Sequence, residues 1–135
     1  MSRGLRNNNP CNIRLAGDRF QGEKAASRDA EFKEFYSIDY GYRAVFVMLA
    51  TYMAKGYNTI EKIINRWAPS NENDTKAYIR TVERQSGVSA TAKLTNRSGA
   101  EFKKIVAAMS FVENGKAAVI EDVEKGFLLQ NRIVC

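Results

Sequence analysis

Histidine is absent from this 135-residue chain. That removes serine and cysteine triads that use an imidazole, zinc sites built on His, and the commonest general base near neutral pH. Cysteine is scarce too. Cys11 and Cys135 alone exclude a Cys-rich zinc site and a disulfide scaffold, and reduced thiols are the expected state. No metal site or cofactor is expected, and any catalysis must rest on carboxylates, hydroxyls, Lys or Tyr. Long hydrophobic runs are missing as well: the longest, Ala44 to Ala50, is far short of a membrane span. The polar opening from Met1 to Pro10 has no apolar segment of the signal-peptide kind, so the chain reads as a cytoplasmic product that needs another route to work outside the cell.

What the chain does have is positive charge. Twenty-one Lys and Arg against fifteen Asp and Glu give +6. Such a surface is drawn to polyanions, whether nucleic acid, acidic lipid or an anionic bacterial wall, with plain solubility as the competing reading. The basic residues are scattered, with no run longer than Lys103-Lys104, whereas a nucleic-acid binder shows a clustered stripe. The stretch from Ala68 to Asp74, between two expected helices, is too long and too acidic for a helix-turn-helix. No nucleic-acid partner is expected.

Hydrophobic residues at 44% and charged residues at 27% describe one folded domain over 1–135. Its first part, 1–37, carries short alternating stretches at Asn12 to Leu15 and Glu31 to Phe35, which predict a small β-hairpin lobe. Phe32 and Phe35 break the alternation there and call for a bulge. From Asp39 the period turns helical. Tyr42, Val45, Phe46, Leu49, Tyr52 and Met53 share one face, with Gly56 as the stop. Asn58 is expected to cap a helix through Trp67, Asn73 or Asp74 one over Thr75 to Gln85, and Ser98 one ending at Gly115. A last helix is expected over Ala118 to Lys125. The fold class is mainly α (α+β): a β lobe over 1–37 and a helical lobe over 38–135.

Two carboxylates stand out. Glu113 follows Met109 by four residues and Val106 by seven, so it projects from an apolar helix face in the last turn. Burial and the negative end of the helix dipole both raise its pKa, as a general acid for a glycosidic oxygen requires. The alternative is a Glu that snorkels into water where the helix ends. Glu72 precedes a helix N-terminus, which favours its ionised form; paired with Glu113 it would make an acid and a base, and alone it reads as a cap. The amides of Asn8, Asn9 and Asn12 can fix a turn or grip sugar hydroxyls and acetamido groups. Among aromatics that can stack on sugars or fill a core, Phe20, Tyr36, Tyr40, Trp67 and Tyr78 are candidates, and Trp67 is the one expected at a groove.

The segments Arg3 to Pro10, Phe20 to Gly22, Gly41 to Ala44, Asn58 to Ile60, Arg66 to Pro69, Glu72 to Thr75 and Glu113 to Gly115 resemble a family of phage and prophage proteins commonly labelled virion structural proteins. The resemblance runs from Arg3 to about Gly126, and it departs at Cys11, where the pattern has a small residue such as Gly. It implies virion association and other virion proteins as partners. The run Asn8 to Ile13, then Phe20 and Gly22, then Phe32 and Phe35, then a helix from Gly41, is also similar to the hairpin lobe of flagellar-type glucosaminidases, which have the lysozyme-like fold. In those enzymes a helix ending in the catalytic Glu comes before the hairpin. Here the helix ending in Glu113 comes after it, so the resemblance implies a circularly permuted lysozyme-like domain.

The leading expectation is therefore a peptidoglycan glycan-strand cleaving enzyme, a muramidase or lytic transglycosylase, made in the host cytoplasm and carried in the virion or released to the wall. Glu113 is its general acid, and Glu72 or a hairpin carboxylate such as Glu34 its second group. Asn8, Asn9, Asn12, Gln21, Glu34, Tyr40, Arg43, Trp67 and Tyr78 form the candidate substrate-binding set. The runner-up is a non-catalytic virion or wall-binding module with the same groove.

Overall fold

Six helices account for the regular structure among the described residues of the computed structural model, which are 1–70, 74–95 and 99–130. They are α1 (Arg3–Arg6), α2 (Ile38–Ala54), α3 (Ile60–Trp67), α4 (Thr75–Ser86), α5 (Ala100–Asn114) and α6 (Ile120–Leu129). The mainly helical expectation holds, and the helix ends follow from local chemistry. Ser2 caps α1 by accepting from the Leu5 amide at 3.2 Å. Thr59, not Asn58, caps α3 through the Lys62 amide at 3.1 Å. Asn58 is engaged elsewhere, its carbonyl accepting from the Leu94 amide at 2.8 Å. Asp74 caps α4 through the Ala77 amide, and α4 and α5 both stop at left-handed glycines, Gly87 and Gly115. The α5 cap is Gly99; Ser98 lies outside the described residues. Helix α6 continues past Lys125 because Phe127 packs edge-on against Phe46, ring centroids 5.2 Å apart.

Helix α2 is the spine of the helical part. Tyr42, Val45, Phe46 and Leu49 are buried on it, facing α6 and α5. Helix α6 crosses so closely that a Cβ on Gly126 would stand 2.4 Å from the Tyr42 Cβ, so only glycine fits there. Helix α5 adds Phe102, Ile105, Val106 and Met109, and α3 adds Ile60, Ile63 and Ile64, all fully buried or nearly so. Each such side chain contributes about 1.5–3 kcal/mol of transfer free energy. No helix among the described residues is long and apolar enough to cross a membrane.

The β-hairpin expected over 1–37 is not seen. Two isolated antiparallel bridges remain, Arg14 with Phe32 and Glu23 with Phe35. The alternating pattern misleads here because Lys33, Glu34 and Phe35 are all buried in succession, so this stretch has no solvent face. Two backbone hydrogen bonds flank each bridge, and polar side chains supply the rest of the pairing. The Asn9 amide donates to the carbonyls of Ile13 (2.9 Å) and Lys33 (2.8 Å) and accepts from the Ile13 amide (2.9 Å). Lys33, with no exposed side-chain surface, is paired with Glu23 at 2.9 Å. Asn8 and Asn12 both take φ of 52°, a left-handed turn that Asn tolerates better than most residues.

Candidate active site

The first residues of the chain meet the C-terminus of α5. The Asn114 amide donates to the Pro10 carbonyl at 2.8 Å and accepts from the Ser2 hydroxyl at 2.7 Å. Gly4 lies in this junction, where a Cβ would stand 2.6 Å from Asn114 Oδ1 and 2.8 Å from the Asn9 carbonyl. This packing sets the turn after Pro10 against the last turn of α5, and so sets Asn12 against Glu113.

Glu113 is half-buried and held by two donors from different elements. Asn12 Nδ2 donates to its Oε1 at 2.8 Å, and the Tyr78 hydroxyl of α4 donates to its Oε2 at 2.9 Å. Burial pushes its pKa above the ordinary carboxyl value. The two hydrogen bonds and the charge of Arg14 pull the other way, and burial wins. Tyr78, buried on α4, is held far above its ordinary pKa, by burial first and then by the neighbouring Glu113. It is a neutral donor at any physiological pH. The buried Oδ1 of Asn12 has no hydrogen-bond partner, so rotating that amide would offer an acceptor to a protonated Glu113.

Glu113 borders two hollows. One, of about 400 Å³, separates the first forty residues from the helical part. Asn12, Arg14, Asp18 and Phe32 line it on one side, and Tyr52, Arg66, Trp67 and Glu113 on the other. The second, of about 510 Å³, is lined by Asp74, Tyr78, Thr81 and Phe111 and also reaches Glu113. Trp67 is oriented by its indole N–H, which donates to the Cys11 carbonyl at 3.1 Å, and by an edge contact with Tyr52, centroids 5.9 Å apart.

Of the residues singled out from sequence, Asn12, Trp67, Tyr78 and Glu113 thus come together. The others do not join them. Asn9 is fully buried with its amide used inside the lobe, and Asn8 donates to the Phe35 carbonyl at 3.1 Å. Glu34 is buried under Arg28 (2.6 Å) and Lys24 (3.0 Å), and the Arg28 contacts lead in holding its pKa down to about 2. It faces neither hollow, so it is not a second group for Glu113. Tyr40 packs on Gly22, Gln21 is exposed outside both hollows, and Arg43 lies on α2 beside Gly126 with its Nε buried and unpartnered. Glu72 lies outside the described residues.

Sequence reasoning missed Asp18, Arg14 and Arg66. The first two sit in a loop, where no periodicity marks a face, although they follow closely on Asn12. Arg66 stands next to Trp67, which was the available sign. Asp18 is carried on a fixed loop, because the buried Lys33 ammonium donates to its carbonyl at 2.7 Å while paired with Glu23. Among the described residues no group of three or more His, Cys, Asp or Glu side chains is placed to hold a metal ion.

No family model matches the chain. Protein P5 of Pseudoalteromonas phage PM2 is 39% identical over 131 residues, a match that takes in 93% of this chain and 80% of that protein. At that identity and coverage the chain belongs to the family of phage proteins that includes Protein P5 of phage PM2.

Proposed function

We propose that this protein cleaves the glycan strands of peptidoglycan, as a muramidase or lytic transglycosylase, with Glu113 as general acid. One observation carries the reading: a carboxyl with a burial-raised pKa, fixed by Asn12 and Tyr78, stands at the border of two hollows. A glycan bound there would place a glycosidic oxygen at Glu113, which protonates it as the C–O bond breaks. In the hydrolytic route Asp18, on the wall of the same cleft, stabilises the oxocarbenium-like centre or activates water. In the transglycosylase route the sugar's own hydroxyl closes on that centre and Glu113 acts alone. The meeting of an α5 terminal Glu with an Asn-rich lobe supports a circularly permuted lysozyme-like domain, and the net charge of +6 favours adsorption to an anionic wall. Kinship with a phage protein supports a place in the virion, among other virion proteins, or release to the host wall.

The test is turbidity clearing of purified sacculi, with mass spectrometry of the products. Wild type releases muropeptides, and Glu113→Gln loses about 10²–10⁴-fold in rate with its fold intact. Anhydro ends identify the transglycosylase and reducing ends the hydrolase. Sacculi that bind wild type but stay intact would overturn the enzyme reading in favour of a wall-binding module.

A further inference from the structure

Arg66 has no part in the chemistry just described, yet it reaches the cleft that holds Glu113. It lies in the last turn of α3, one residue before Trp67. Its guanidinium is stacked near two rings, 5.0 Å from the Tyr57 centroid and 5.8 Å from that of Tyr52. Among the described residues no carboxylate lies within ion-pair distance of it. Part of the fork is directed at the Tyr52 hydroxyl, and its remaining donors match a carboxylate. On the same wall Trp67 and Tyr52 offer apolar surface suited to a sugar ring.

We propose that Arg66 makes this cleft selective for an acidic glycan, by pairing with a carboxylate borne on a sugar whose ring lies against Trp67. The inference rests on the glycan reading above and goes further, since a neutral N-acetylated glycan would satisfy Glu113 equally well. The carboxylate with the right chemistry is the lactyl group of a muramic acid residue in a strand without its peptide. Helix-end electrostatics account for an Arg at this position but not for a ligand preference.

The experiment measures binding of two probes by isothermal titration to full-length Glu113→Gln protein, so that turnover does not interfere. The probes are the disaccharide N-acetylglucosaminyl-N-acetylmuramic acid, with a free lactyl carboxylate, and neutral chitobiose. The acidic disaccharide is expected to bind about tenfold tighter, and adding Arg66→Gln is expected to erase that preference while leaving chitobiose affinity unchanged. Arg66→Lys, which keeps the charge without the fork, restores part of the preference. If Arg66→Gln weakens both probes equally, or neither, Arg66 is structural or idle and the inference fails while the glycan reading stands. If neither probe binds and sacculi are untouched by wild type, both fall together.

Discussion

The first 37 residues and the helical remainder are held together by different forces. In the helical part apolar side chains interlock across α2, α5 and α6, and the buried surface is almost entirely hydrocarbon. In the N-terminal part the buried groups include Asn7, Asn9, Glu23, Lys33 and Glu34, tied to backbone and to one another. A packed helix tolerates small shifts in its neighbours, because dispersion is non-directional. A polar network does not, because each unmade hydrogen bond leaves a desolvated group behind. The candidate acid stands where the two parts meet, with its helix from one and one of its donors from the other.

Substitutions in each part measure that difference. Phe102→Ala, in the middle of the α5 core, should cost about 4 kcal/mol, read as a fall in the urea midpoint. Asn9→Ala removes few atoms but strips the Lys33 carbonyl and the Ile13 amide of their partner and takes one of two donors from the Ile13 carbonyl, and should cost about 3 kcal/mol by the same measurement. A cost below roughly 0.5 kcal/mol would show that the lobe does not depend on its polar network. Gly4→Ala forces a methyl against Asn114 and the Asn9 carbonyl at the seam, and about 2 kcal/mol is expected.

Two smaller effects concern the acid itself. A carboxyl whose folded pKa lies above its unfolded value contributes stability below the unfolded pKa and loses it as pH rises through the folded one. Glu113→Gln should therefore be more stable than wild type at neutral pH, with the gap closing near pH 4 by thermal melts. Tyr78→Phe removes a donor that favours the ionised form. Glu113 then keeps its proton to higher pH, and the basic limb of kcat/KM against pH moves upward; an unmoved limb would separate Tyr78 from the acid.

The helical part was legible because its periodicity is produced by the burial that holds it. Tyr42, Val45, Phe46 and Leu49 announce a face in the sequence and fill it in the structure. Glu113 was legible for the same reason, since it continues the face of Val106 and Met109. The N-terminal part was misread because its organising residues are polar. Lys33 and Glu34 look like a solvent face in any alternating pattern, and only their partners at 23, 24 and 28 explain their burial. Asp18 and Arg66 were missed because a cleft belongs to two segments at once, and a linear pattern describes one.

The hydrogen bond from Asn12 to Glu113 spans 101 positions of chain. On a ribosome the donor leaves the exit tunnel long before its acceptor is made, and no local structure can stand in for that acceptor. The carboxyl acquires its surroundings only after nearly all the protein has been synthesised and the long loop between these residues has closed. A chain interrupted before α5 is finished therefore carries the Asn12 donor without the carboxyl it serves.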